Sequence, residues 1–288
     1  MTDSVLGSAL ITTLLPFACL QAPFMQQALI GLVLLAPMAA TMGVQVVNFR
    51  MAFFADAISH SAFAGVALGL IFSVNPHWSM LVFGVMVGMG IMAVQRSSSL
   101  SSDTVIGVFF SAVVAFGLAV VSRERSVARD LQRFLYGDIL TIDDDSILLL
   151  KLLFVVIMLF QAIGYNRMLY VGLNPLLAEV HKVRVTIYQY IFAGLLSLVV
   201  IFAVWAVGVL LVTALLIVPA ATARNLSRSA GAMFWWALVV SLTSAVAGLI
   251  ISAQEWARTA TGATIILVAS AWFAVSLMVN CLMGKRRG

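Results

Sequence analysis

The chain is 288 residues long, 63% hydrophobic and only 9% charged, where a soluble domain carries about a quarter charged residues. Long apolar runs recur along its whole length, more than one soluble core could bury, so the chain must cross hydrocarbon as helices or as a closed barrel. The net charge of +5 is a positive-inside bias rather than a nucleic-acid footprint, because Lys and Arg cluster at the ends of the apolar runs.

The runs are about 20 residues long and uniformly apolar rather than alternating, which selects helices over strands. In chain order they fall near residues 25–47, 52–72, 77–95, 104–122, 146–165, 187–206, 208–222, 233–252 and 261–283. The expected fold class is therefore all-α, a polytopic helical membrane protein of about nine transmembrane segments, within a range of about 8–10. Residues 1–23 form a separate N-terminal apolar segment, and residues 24–288 a single transmembrane domain. Within the first of these, the stretch 4–20 is apolar enough to be embedded or to lie at the interface. It has no basic n-region and no small-residue cleavage site, so it does not read as a removed signal peptide.

Two neighbouring segments, 187–206 and 208–222, meet around Val207 and Gly208. The second is short for a hydrocarbon core of about 30 Å, which predicts a broken or re-entrant helix held among its neighbours. Interrupted helices of this kind often mark a translocation path. Cys19 and Cys281 lie far apart in or beside apolar runs and read as packing residues.

Basic residues set the orientation. Arg50, Arg96, Arg167, Lys182, Arg184, Arg224, Arg228, Lys285, Arg286 and Arg287 fall at alternate ends of the segments, and the turn "SVNPH" at 73–77 has none. The basic ends, with the C-terminus, are expected to face the cytoplasm. One loop departs from the pattern. The stretch "SRERSVARDLQRFLYGDILTIDDD" is external by alternation yet holds Arg123, Arg125, Arg129 and Arg133. It also carries Glu124, Asp130, Asp138, Asp143, Asp144 and Asp145, which leave it acidic on balance.

The second segment contains "ADAISHSAFAGVALGL", an apolar run with Asp56 and His60 four residues apart. On a helix the two share one face, while Gly65 and Gly69 fall on roughly the opposite face as a small-xxx-small contact pattern. A helix with a packing side and an ionisable side in mid-membrane must turn the latter to a cavity, a partner or a substrate. A structural pair satisfying itself between helices is the plainer alternative, and Ser59 and Ser61 flank the pair. Carboxylate oxygen and imidazole nitrogen suit Zn²⁺ or Mn²⁺. Two ligands hold an ion weakly, which a carrier needs because the ion must also leave. Protonation of His60 at a reference pKa of about 6.5 would weaken such a site at low pH.

The other histidines are weaker signals. His77 follows Pro76 at an external turn and reads as a solvated loop residue, with an entry-site role as the alternative. His181 and Glu179 sit in the basic loop "NPLLAEVHKVR", a solvated loop or a secondary exit site for the ion. Enzymatic readings find no support: there is no H-E-x-x-H, and Ser59, His60 and Ser61 diverge around the helix. A G-x-x-x-x-G-K-[ST] loop is absent too, and the chain has just three lysines. ATP-driven transport would need its motor in another chain.

Four stretches together resemble the metal-type ABC permeases, the family importing zinc, manganese or iron. They are "NFRMAFFADAISHSAFAGVALGL", "DTVIGVFFSAVVAFGL", "LYGDIL" and "AVGVLLVTALLIVPAATARNLSRS", and the resemblance runs from about Pro23 to Cys281. It implies a type II ABC importer-like permease in the bacterial inner membrane, multi-pass and homodimeric. The implied partners are a cytoplasmic ATP-binding subunit, an extracytoplasmic metal-binding protein and membrane lipid, with no nucleic acid and no permanently bound cofactor. The family's path-lining Asp and His match Asp56 and His60, which makes the divalent ion the substrate. The resemblance further implies that Pro219, Ala220, Ala221, Thr222, Ala223, Arg224, Asn225 and Arg228 form a coupling turn on the ATPase. Pro219 can break the preceding helix, and Arg224 and Arg228 place the turn in the cytoplasm. His181 stands where the family often has Gly.

Zinc is the expected ion by the Irving–Williams order, with manganese or iron open where availability decides. A siderophore- or cobalamin-type permease shares the architecture, but a bulky substrate would not call for Asp56 and His60 together. A gradient-driven secondary metal transporter would usually show inverted repeats, which this sequence does not display.

Overall fold

The structure is a computed structural model in which residues 22–122, 144–257 and 259–284 are described. The readings made on residues 1–21, on the loop 123–143 with its "LYGDIL", and on Lys285, Arg286 and Arg287 lie outside the described residues. The described chain is helical and contains no strand. In order the helices are α1 (Pro23–Asn48), α2 (Phe54–Ile71), α3 (Pro76–Ser97), α4 (Ser102–Val121) and α5 (Asp144–Leu173). They are followed by α6 (Pro175–Val180), α7 (Val185–Val207), α8 (Val209–Leu226), α9 (Ala230–Ser252) and α10 (Thr261–Gly284). Eight of them are long and apolar enough to cross a membrane, and α8 adds the shorter apolar stretch Leu211–Leu226.

Local chemistry explains where the helices begin. Pro23 and Pro76 occupy first-turn positions, where a missing N–H costs nothing. Asn75 caps α3 by accepting from the His77 backbone N–H at 3.0 Å. Ser101 and Ser229 do the same for α4 and α9, each accepting from the residue three further on at 3.2 Å.

The small-residue face of α2 packs as its spacing predicts. Gly65 and Gly69 lie against Met80, Ser79 and Pro76 of α3, so closely that the Ser79 hydroxyl donates to the Gly65 carbonyl at 2.7 Å. Ile58 and Ser61 meet Gly88 and Gly84 further along, so α2 and α3 run antiparallel. On its other flank α2 packs on α4, with Ala64 beside Gly117.

Helix α8 is the hub. It touches α1, α2, α7, α9 and α10. Leu211 lies beside Gly262 of α10 and Asn225 donates to Ser276 of the same helix at 3.1 Å, so the two run in the same sense. Against α1 the approach is closer still, because Gly43 abuts the Leu216 carbonyl with no room for a side chain. The core between these helices is built from Leu32, Leu35, Met38, Phe54, Ile58, Phe192 and their neighbours, all essentially inaccessible to solvent.

The predicted break between the seventh and eighth elements falls on a single residue. Gly208 has φ 87° and ψ 164°, a region that is essentially glycine-only, and the chain changes direction there. The second half, α8, continues to Leu226, past residue 222 where the apolar run was expected to end. Pro219 does not break it. A buried proline removes one backbone bond and leaves the turns on either side intact, and here Thr222 adds a hydroxyl bond to the Val218 carbonyl at 2.8 Å. Pro37 inside α1 is accommodated in the same way, with Thr41 donating to its carbonyl at 2.9 Å.

Candidate metal-transit site

Asp56 and His60 emerge from the first two turns of α2 on the face turned away from α3. Both are half-buried, in contrast to Phe54, Ala55, Ala57 and Ile58 around them, which are fully buried. The two side chains stand one helical turn apart on α2, and α8 packs against that helix. The imidazole of His60 stands edge-on to Phe110 of α4, ring centres 5.0 Å apart at 87°, and 5.7 Å from Phe63. The pair therefore lies on a flank of α2 that α4 borders through Phe110.

The arrangement can do a limited chemistry well. An oxygen and a nitrogen donor share one face of α2, and aromatic rings shield the imidazole from one side. Among the described residues no group of three or more His, Cys, Asp and Glu side chains forms a closed metal cage.

The other predicted residues fall into place differently. Ser59 and Ser61 are buried and return their hydroxyls to the Ala55 and Ile58 carbonyls at 2.7 and 2.6 Å, so they back the site without facing it. His77 is not a solvated loop residue: its ring packs on Trp205 at the end of α7 with centres 4.5 Å apart. His181 stacks on Tyr170, ring centres 4.8 Å apart and nearly parallel, in the exposed turn after α6, and Glu179 is exposed in the last turn of that helix. That segment packs on α5 and α7 and is no part of the α2 flank.

The predicted coupling turn divides in two. Pro219, Ala220, Thr222 and Ala223 are buried, with Ala220 and Ala223 packed against Ala40 and Val44 of α1 and Met233 and Ala237 of α9. They are core residues rather than surface ones. Ala221 and Asn225 are half-buried, and Arg224 and Arg228 are exposed beside the short link to α9. Phe110 is the residue that sequence reasoning passed over, because nothing in an apolar run marks which aromatic ring will meet His60.

The chain is a multi-span helical membrane protein, and its relatives make it the membrane subunit of a transporter, not an enzyme. The chain belongs to the ABC 3 transport family, matched over residues 21–280, and so to the metal-type ABC permeases. It is 31% identical over 250 residues to the high-affinity zinc uptake system membrane protein ZnuB of Haemophilus influenzae, covering 87% of this chain and 95% of that one. It is likewise 31% identical to the manganese import system permease protein ScaB of Streptococcus gordonii, over 89% of this chain and 91% of that one. The manganese transport system membrane protein MntC of Listeria monocytogenes is 31% identical over 93% of this chain and 96% of its own length. In three dimensions the chain resembles PsaBC from Streptococcus pneumoniae in complex with Fab, with a TM-score of 0.75 at 29% identity. That likeness covers 94% of this chain and 95% of the other.

Proposed function

We propose that this chain is the permease of an ATP-driven importer of a divalent metal ion in the bacterial inner membrane, with zinc as its cargo and manganese as the alternative. The observation that carries the reading is the Asp56–His60 pair, half-open on the flank of α2 inside an otherwise apolar bundle. An ionisable pair left facing lipid would be costly, so that flank needs a covering partner. A second copy of the chain, related by a two-fold axis, would cover it and bring four donors around one ion. Relatives named for zinc uptake and for manganese import support the cargo class without choosing between them.

In this reading an extracytoplasmic metal-binding protein delivers the ion to the outer mouth. The Asp56 carboxylate and His60 imidazole replace part of its lost water, and an ATP-binding subunit on the basic side drives the opening. The exposed part of the predicted coupling turn, Arg224 to Ser229, is one docking surface on that side. Helix α6 offers a second. It is a six-residue helix in the loop between α5 and α7, and Leu173, Leu176 and Val180 around it are 71%, 72% and 78% exposed. Apolar side chains at a basic, water-facing end call for a protein to cover them.

The test is uptake of radiolabelled zinc and manganese into cells carrying the permease with its ATPase, comparing wild type with Asp56→Ala and His60→Ala. Loss of uptake in both variants, with membrane level and ATPase association unchanged, supports the reading, and the preferred isotope names the cargo. Unchanged uptake in both would refute the role of the pair.

A further inference from the structure

Helix α4 turns one stripe of residues to α2. Ile106, Phe110, Val113 and Gly117 recur at spacings of four, three and four, which places them on one face of a helix. Ile106 is fully buried and Val113 nearly so. Gly117 lies beside Ala64 of α2, where a β-carbon would stand 3.7 Å from that of the alanine. Ala64 is one turn beyond His60 on the same face of α2. The packing that joins the two helices therefore also sets where the Phe110 ring meets the His60 ring.

That meeting is specific in geometry. The ring centres of His60 and Phe110 are 5.0 Å apart and their planes stand at 87°. Aromatic pairs favour such a perpendicular arrangement at about 4.5–7 Å. Phe63, one turn along α2, limits the imidazole from its own helix at 5.7 Å and 51°. Turning the His60 ring about its side-chain bonds would break the perpendicular contact, so the plane that holds its nitrogens is fixed. Histidine ligands are ordinarily oriented by a hydrogen bond from the second ring nitrogen. Around His60 two aromatic rings, one from each of two helices, stand in the positions that can do the same.

We infer that Phe110 is a positioning residue for metal transit: its ring holds the imidazole of His60 in the plane from which a ring nitrogen reaches the ion. The inference rests on the metal-import reading above. It carries a consequence for selectivity. Imidazole nitrogen suits zinc, whereas the harder manganese ion is served chiefly by carboxylate, carbonyl and water oxygens. Losing the orientation of His60 therefore costs zinc more than manganese, and Phe110 tunes the preference between them without touching the ion.

The experiment is the concentration dependence of zinc and manganese uptake in cells carrying the permease and its ATPase. Affinity is read as KM for a metal that is carried and as an inhibition constant for one that is not. Phe110→Leu and Phe110→Met keep apolar bulk and remove the ring, while Phe110→Tyr keeps the ring. Phe116→Leu is the contrast, since Phe116 pairs with Phe83 of α3 at 6.0 Å rather than with His60. The expected result is zinc affinity lowered about 10-fold in the leucine and methionine variants, the lower end for losing an outer partner of a ligand. Manganese affinity falls less, maximal uptake is retained, and Phe110→Tyr and Phe116→Leu stay near wild type. Zinc affinity unchanged in both ring-free variants overturns the inference. So does an equal loss for the two metals, a tyrosine variant that behaves like leucine, or the same effect from Phe116→Leu. His60→Ala and Asp56→Ala in the same assay separate the two levels. If they abolish uptake while Phe110→Leu is silent, the positioning role fails and the import reading stands; if both are silent, the reading on which the inference rests fails.

Discussion

Gly65 of α2 and Met80 of α3 stand so close that a β-carbon on Gly65 would fall 2.6 Å from the Met80 α-carbon. The obstacle is backbone, which cannot rotate out of the way. Gly65→Ala must therefore push α2 away from α3, at a cost of about 1–3 kcal/mol for overpacking. Because Asp56 and His60 ride on the same helix, uptake should fall together with the thermal midpoint of the detergent-solubilised protein. Gly231→Ala, at a position where a β-carbon meets nothing within 4 Å, should leave both unchanged. Equal effects at the two glycines would show that backbone contact is not what holds α2.

Gly208 makes a separate prediction. Its φ of 87° with ψ of 164° is closed to side-chain-bearing residues. Gly208→Ala should cost about 1–3 kcal/mol, read as a lower melting midpoint, and should impair uptake by redirecting α8. A variant that melts and transports like wild type would mean that the break can be made with ordinary backbone angles.

The α1–α5 contact holds a polar defect. Among the described residues, both amide atoms of Gln45 are buried without a hydrogen-bond partner, and so is the amide oxygen of Gln161, whose nitrogen reaches the Met42 sulfur at 3.6 Å. An unsatisfied buried group costs about 1–3 kcal/mol. Gln45→Met, similar in length and free of that penalty, should raise the melting midpoint of the purified protein or leave it unchanged. A clear fall would mean that the amide has a partner in the working protein.

Docking at the basic end is open to charge reversal. Arg224→Glu with Arg228→Glu, and separately Leu176→Asp with Val180→Asp, should reduce co-purification of the ATP-binding subunit while the permease still inserts. The buried Ala220 and Ala223 give the contrast. Enlarging them should lower stability by disturbing their packing on α1 and α9, and co-purification should fall only as far as folded protein is lost. If the α6 pair matters and the arginine pair does not, the coupling surface lies on α6.

Much of this was legible in the sequence because the signals are local. Nine apolar runs gave nine helices, and a spacing of four put Gly65 and Gly69 on one face and Asp56 and His60 on the other. The break at Gly208 was visible as two runs with no room for a loop between them. What the sequence misjudged depends on surroundings. Pro219 reads as a terminator in isolation, yet packing of Ala220 and Ala223 on α1 and α9 carries α8 through it. His77 reads as a turn residue until Trp205, far along the chain, is brought beneath it. Phe110 carries no local pattern at all, because the His60 ring it meets is on another helix.

The single residue between α7 and α8 has a mechanical consequence. Trp205, which bears the His77 ring, and Leu216, whose carbonyl is pressed onto Gly43 of α1, are 11 positions apart with Gly208 between them. No slack loop separates the contact of α7 with α3 from the contact of α8 with α1. Shifting the end of α7 must therefore drag the start of α8 with it, so the two contacts cannot move independently.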